Sequence, residues 1–319
     1  MKILISNLFF QAYTGSESYA GTLARTLRDR GHEITLYCHN FGWYGEQLRK
    51  EGFECWHNPN KADYKLPHTN FDIVHFQHRE TVSLIYNQVK HLPKIFISHG
   101  MLPMPEQPLP FASFPMDGYA GVSEETLVNN IKKAGVPKGG HKEIIRNLID
   151  TERFSTLVPI NNEPKKAVII SNYMRSTPHY MALIKQACEK LGIELQILGD
   201  SGSRVKDTRP FIEKSDMVIG LGRCAFEGMS MGRNVLVFDY QGLEGMIESE
   251  ARYKLFRENN LSGRYRNKKD VTLGDVIQEM KRYKPEHGLL NRLLIQKYHS
   301  AEEVADVAES FYRRVIDAK

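Results

Sequence analysis

Short apolar, β-branched runs alternate with helix-period stretches along most of this chain. That rhythm restricts it to folds built from βαβ units, with parallel sheets covered on both faces. In the first half the strand-like runs fall at residues 2–6, 33–37, 73–76, 95–98, 119–122 and 143–145, with helix-period stretches at 18–30, 80–90 and 124–134 between them. The set predicts one doubly wound domain. Residues 150–164 carry Pro159, Asn161, Asn162 and Pro164 with little periodicity and read as an interdomain linker. A second sheet follows, with runs at 167–171, 194–198, 217–219 and 235–238, and Thr177-Pro178 opens a helix as N-cap and first-turn proline. After Asp239 the strand signal fades. The chain closes on a helix over 300–316 that sets Val304, Val307, Phe311 and Val315 on one apolar face.

A length of 319 residues accommodates two such domains without disulfides or a structural metal. No apolar run reaches the ~18 residues a spanning helix needs, and the opening Met1-Lys2-Ile3-Leu4-Ile5-Ser6-Asn7 is too short for a secretion signal. The expectation is a cytoplasmic protein. Cys38, Cys55, Cys188 and Cys224 are widely spaced, with no C-x-x-C pair, so they read as reduced thiols and not as a zinc site. The net charge of +5 suits an anionic small ligand, or transient contact with acidic lipid headgroups at the inner face of a membrane, but falls short of a nucleic-acid binder.

Three stretches have residues suited to chemistry. After the first strand comes Gln11-Ala-Tyr-Thr-Gly15-Ser16-Glu17-Ser18, a small-residue turn opening a helix whose first N–H groups favour an anion such as a diphosphate. It lacks G-x-G-x-x-G, so taken alone it is better accounted for by an ordinary strand-to-helix turn. Nine of the twelve histidines precede residue 150, and His75, His78 and His99 follow strands, where ligand crevices of parallel sheets lie. Each alone suits packing or capping. His99 stands out because it leads into a loop stiffened by Pro103, Pro105, Pro108, Pro110 and Pro115, fit to wall an acceptor cleft. The densest stretch is Gly220-Leu-Gly222-Arg223-Cys-Ala-Phe-Glu227-Gly-Met-Ser-Met-Gly232. Here Glu227 suits a ribose diol and Arg223 the attached phosphates, while a tight turn with a surface carboxylate and a solvated arginine is the alternative.

Taken in order, these pieces resemble the two-domain GT-B glycosyltransferases, particularly glycosyltransferase family four, over most of residues 1–250. Gly15-Ser16-Glu17 through Arg30-Gly31-His32-Glu33-Ile34-Thr35 resembles the family's opening glycine loop, first helix and second strand. Phe71-Asp72-Ile73-Val74-His75-Phe76-Gln77-His78 is similar to its "pDivHaH" strand end, and His99-Gly100 takes the place of its acceptor-side histidine. Val122-Ser123-Glu124-Glu125 resembles the "vS" helix start, and Ile145-Arg146-Asn147-Leu148-Ile149-Asp150 resembles "iPNGvD". Glu227-Gly228-Met229-Ser230-Met231-Gly232 matches "EAMAxG". The family's earlier glutamate, eight positions before, is replaced by Ile219, and Asn172-Tyr-Met-Arg175 stands where the family has an arginine and a lysine.

The resemblance implies an α/β fold of two Rossmann-like doubly wound domains, at 1–155 and 165–298, with a C-terminal helix over 299–319 crossing back to the first. It implies a metal-independent hexosyltransferase with no cofactor, which takes a nucleotide-sugar donor and delivers to a saccharide or lipid-linked acceptor in surface glycan biosynthesis. Glu227 then binds the donor ribose, and Gly222, Arg223, Asn172, Arg175, Gly15 and Ser16 surround the donor. His99 and Glu17 act at the reacting groups, and His75 and His78 lie on the acceptor side. Two other activities share the architecture: a nucleotide-sugar epimerase, which needs no acceptor, and a non-catalytic nucleotide-sugar-binding subunit, which the missing first glutamate favours.

Overall fold

The computed structural model describes residues 1–58, 64–101, 104–203, 205–264 and 271–319. Pro103 of the proline-rich loop lies outside them. The chain divides into two compact units, Met1–Leu148 with Ala301–Lys319, and Ile149–Ser300.

Unit 1 holds strands β1 (Lys2–Phe10), β2 (Glu33–Phe41), β3 (Glu54–His57), β4 (Ile73–Phe76), β5 (Lys94–Ser98), β6 (Gly118–Gly121) and β7 (His141–Ile144), in the order β3-β2-β1-β4-β5-β6-β7. All are parallel. Helices α1 (Gly15–Asp29), α2 (Trp43–Lys50), α3 (Arg79–Val89) and α4 (Glu124–Ala134) connect them. Successive residues of a strand face opposite sides. Ile3 and Ile5 therefore join one core with Leu23, Leu27 and Ile97, while Leu4 joins another with Val74, Val82, Ile85 and Phe96.

Unit 2 holds β8 (Lys166–Ser171), β9 (Glu194–Gly199), β10 (Met217–Gly220), β11 (Asn234–Asp239) and β12 (Gly242–Met246), ordered β12-β11-β10-β8-β9. Its helices are α5 (Pro178–Leu191), α6 (Arg209–Glu213), α7 (Gly222–Ser230), α8 (Glu250–Arg257), α9 (Leu273–Met280) and α10 (Pro285–His299). Four strands are parallel, and β12 adds an antiparallel edge. The fading strand signal after Asp239 missed β12 because three of its positions are Gly242, Glu244 and Gly245, which carry no β-propensity.

The final helix α11 (Ala301–Asp317) belongs to unit 1. Val304, Ala305, Ala308, Phe311, Tyr312 and Val315 enter the Ile3–Leu23 core. Val307 does not: spacings of four and three carry the buried stripe from Val304 through Ala308 and Phe311, and Val307 falls on its exposed flank. Arg30, at the end of α1, binds Glu302, Asp306 and Glu309 of this helix at 2.6, 2.6 and 2.8 Å.

One device recurs at the starts of the parallel strands. An aspartate preceding one strand accepts the first N–H of its neighbour: Asp72 from Lys2 at 2.7 Å, Asp117 from Lys94 at 3.0 Å, and Asp216 from Lys166 at 3.0 Å. Asp216 also binds Asn161 and the Lys165 N–H, which fixes the segment entering β8. The stretch read as an interdomain linker is thus a fastened part of unit 2, and the first unit's opening segment ends at Leu148, not at 155.

Candidate functional site

In both sheets the strand order reverses at one place, between β1 and β4 and between β8 and β10. Ligand crevices of open parallel sheets form outside the strand C-termini at such points. In unit 1 the loop 11–14 follows β1, Gln77 and His78 follow β4, and His99 follows β5. The half-buried His99 ring lies edge-on to buried Tyr19 with centroids 4.5 Å apart, and its Nε2 pairs with Gln77 Oε1 at 3.0 Å. An amide oxygen only accepts, so this bond assigns the proton of the neutral ring to Nε2 and its lone pair to Nδ1. Gln77 is itself buried, and its backbone N–H is held by Ser6 O at 3.1 Å.

In unit 2 the corresponding edge holds α7. Gly222 opens it at φ +49°, a left-handed value that suits glycine, and Gly228 lets it lie against β10, since a Cβ there would stand 2.8 Å from Val218. Glu227, one turn further in, is buried; its Oε1 accepts from Arg223 Nε at 2.8 Å, and Thr208, between β9 and α6, approaches Oε2 at 3.5 Å. Burial raises the carboxyl pKa, against the pull of the Arg223 guanidinium. At the end of β8, Asn172 and Arg175 are exposed.

Residues 13–153 match the family model described as Glycosyltransferase Family 4. The chain is similar in structure to the S. aureus TarM in complex with fondaparinux, α-GlcNAc-glycerol and UDP, at 8% identity, TM-score 0.58, and coverage of 98% of this chain and 99% of that one. It is likewise similar to an α-glucosyltransferase in complex with UDP and a DNA containing an HMU base, at 11% identity, TM-score 0.57 and coverage of 98% and 99%. A third similar structure is the glycosyltransferase of kitacinnamycin, at 10% identity, TM-score 0.56 and coverage of 97% and 98%. The chain has the GT-B glycosyltransferase fold. No curated protein matches the sequence. The family match covers residues 13–153, and unit 2 is tied to these proteins by its fold.

Within this GT-B chain several sequence expectations change. Glu17 is buried, and its carboxylate accepts from the N–H groups of Gln11 and Ala12, at 2.6 and 3.1 Å, and from the Thr14 hydroxyl. It folds the glycine loop back on α1 instead of reaching outward to sugar hydroxyls. His75 is fully buried beneath α11 with Nδ1 on the Tyr312 hydroxyl, and burial pushes its pKa down to about 3. His78 is the N-cap residue of α3; its Nδ1 accepts the Leu8 N–H at 2.9 Å, and burial lowers its pKa to about 4. Both rings are buried. The Gly222 N–H, expected on the donor, is taken by Leu261 O at 3.0 Å. Thr177 precedes α5 but sends its hydroxyl to Met174 Sδ, so Pro178 alone of the expected pair serves the helix start.

Gly15 and Ser16 do open α1, with Gly15 exposed and no atom within 4 Å of where its Cβ would be. Two residues escaped the sequence reading. Gln77 was masked by the histidines on either side of it, and its only signal was its place at the end of a buried strand. Glu106, in a 3-10 turn at Met104–Glu106, is the sole acid between Gly100 and Asp117, and burial lifts its carboxyl to about 7. The cavity of about 660 Å³ lies elsewhere, at the N-terminal strand edge beside Lys2, Glu33 and Glu54. Its polar walls are already committed, Lys2 to Glu33 and His32 to Glu309, and it is not assigned to the reaction.

Proposed function

We propose that this protein transfers a hexose from a nucleoside-diphosphate donor, held on unit 2, to a saccharide or lipid-linked acceptor received on unit 1. The observation that carries the reading is the buried Glu227–Arg223 pair at the switch point of unit 2, in a chain whose unit 1 matches Glycosyltransferase Family 4. Glu227 accepts from Arg223 on Oε1 and from Thr208 on Oε2 at 3.5 Å, and the lone pairs that remain on a carboxylate leave acceptor capacity for the vicinal hydroxyls of a ribose. Arg223, in the first turn of α7, and the exposed Arg175 bring positive charge to the diphosphate.

In this proposal no metal is required. The charge that grows on the leaving diphosphate is met by Arg223, Arg175 and the first-turn N–H groups of α7 beyond Gly222. On unit 1, His99, its Nε2 held by Gln77 Oε1, acts at the acceptor. The setting is surface glycan assembly at the cytoplasmic face of a membrane; no helix among the described residues is long and apolar enough to cross one.

The test is a thermal-shift screen of nucleoside diphosphates and nucleotide sugars, followed by turnover assays with saccharide acceptors on whatever binds. Stabilisation by a nucleotide sugar and acceptor-dependent release of the diphosphate are expected. Release or sugar interconversion without acceptor would transfer the assignment to the epimerase activity, and the absence of any nucleotide-sugar ligand would end the proposal.

A further inference from the structure

Ser171 ends β8 and Asp239 ends β11, on either side of the shorter β10. Across the end of β10 the Ser171 hydroxyl donates to Asp239 Oδ1 at 2.8 Å, both residues being buried. Each then aims the loop that follows it. Asp239 Oδ1 accepts the Tyr240 N–H at 2.7 Å, and Ser171 Oγ accepts the N–H groups of Tyr173 and Met174 at 3.1 and 3.2 Å. The product of this bridge is a pair of neighbouring rings: Tyr173 and Tyr240, from loops 67 positions apart in sequence, stand with centroids 5.0 Å apart at an angle of 40°. The Tyr240 hydroxyl accepts from Gln241 Nε2 at 2.9 Å, and Gln241 Oε1 in turn accepts from Arg264, so the ring is held at its outer end as well.

Tyr173 is 59% exposed, which leaves a large aromatic face in water at the C-terminal edge of a parallel sheet. A buried Ser–Asp bridge that fixes two backbones in order to present exposed rings is a built feature, and rings so presented bind flat or C–H-bearing partners through their electron-rich faces.

Position decides which part of a donor they meet. Thr208 approaches Glu227 from the β9 side of the sheet. Tyr240 follows β11, on the far side of β10 from β9, and the bridge from β8 to β11 sets Tyr173 beside it. A donor with its ribose on Glu227 and its diphosphate along the start of α7 extends away from Thr208 and brings its far end to the tyrosines. That far end is the sugar.

We propose that Tyr173 and Tyr240 form the seat of the transferred sugar, stacking on the C–H face of a pyranose ring and setting which sugar the donor carries. The inference rests on the donor reading of unit 2 given above, and its test separates the two. Calorimetry on the full chain measures the affinity of a nucleotide sugar found in the screen and of its nucleoside diphosphate, for the wild type, Tyr173→Ala, Tyr173→Phe and Tyr240→Phe. Tyr173→Ala is expected to lose about fivefold or more in affinity for the nucleotide sugar, with the diphosphate changed less than about twofold, as for independent contacts. Tyr173→Phe and Tyr240→Phe, which keep the rings, are expected to retain most of the sugar-dependent affinity. Equal losses for both ligands, or no loss for either, would overturn the sugar seat while leaving the donor site standing. Failure of the wild type to bind any nucleoside diphosphate would instead remove the donor site, and the seat with it. Melting temperatures of the variants guard against misfolding, which an exposed ring makes no reason to expect.

Discussion

Glu227 and His99 are the residues through which the functional reading can be broken most directly. Glu227→Ala should weaken nucleoside-diphosphate binding by about 1.5–3 kcal/mol, the scale of hydrogen bonds to a charged group, and Glu227→Gln should fall between because it keeps one acceptor oxygen. Calorimetry with UDP and GDP reads this, and unchanged affinity in the alanine variant removes the ribose assignment. His99→Ala should leave diphosphate affinity within about 0.5 kcal/mol yet lower turnover by about 10²-fold or more. Gln77→Ala should act through His99, altering the pH dependence of turnover while the donor affinity stays the same; an unaltered profile would show that the Gln77–His99 bond is incidental to chemistry. The buried histidines act on stability instead. His75 and His78 have pKa values lowered to about 3 and about 4, so between those values and the ordinary 6.5 the unfolded chain binds protons that the native one refuses. Stability from each is therefore complete above pH 6.5 and falls as the pH drops through the window, by about 1.4 kcal/mol per pH unit per histidine. Urea titrations of the wild type and His78→Gln between pH 4 and 7 should show a shallower slope in the variant; equal slopes would contradict the burial argument.

At the scale of elements, α7 is where packing and function meet. Its contact with β10 passes through Gly228, and a methyl group there would stand 2.8 Å from the branched Cβ and Cγ2 of Val218, a side chain in a buried strand with little freedom to give way. Gly228→Ala should cost about 1–3 kcal/mol as an overpacked core position. It should also weaken diphosphate binding, because Arg223 and Glu227 ride on the helix that is displaced. Denaturant midpoints and calorimetry on one preparation check both; a fully stable variant with normal affinity would mean that α7 is not held as tightly as the geometry requires. The family motif has alanine at this place, so the glycine also shows how closely this chain's helix approaches its strand.

At the scale of the whole molecule, the chain leaves unit 1 at Leu148, completes unit 2, and returns at Ala301 to finish the first core. Val304, Phe311, Tyr312 and Val315 are all buried there. At about 1.5–3 kcal/mol for each large side chain, their removal approaches the entire stability of an ordinary domain, about 5–15 kcal/mol. A chain ending at Ser300 should therefore lose the cooperative unfolding of unit 1 while unit 2, continuous in sequence, keeps its affinity for nucleoside diphosphate. Limited proteolysis and calorimetry would show it, and survival of an intact unit 1 would contradict the role given to α11.

The sequence by itself determined the elements whose signals are local. The rhythm of apolar strands and amphipathic helices, the place of β4 and of α4, and the apolar stripe of the last helix all follow from side-chain periodicity, which the chain carries wherever it folds. It also located the ends of the parallel strands. What it left open depends on partners far away in the chain. Glu17, His75 and His78 have the residue types of an active site, and only tertiary packing reveals that a loop backbone holds the Glu17 carboxylate while the Tyr312 hydroxyl and the Leu8 N–H each engage one ring nitrogen of a buried histidine. Gln77 and Tyr173 have unremarkable neighbours in sequence and gain meaning from His99 and Tyr240, which the sheets bring alongside. A residue's type and spacing fix what it is able to do, but whether a hydrogen-bonding group is spent inside the protein or presented outward is a property of its three-dimensional neighbours, and that was decided by the fold.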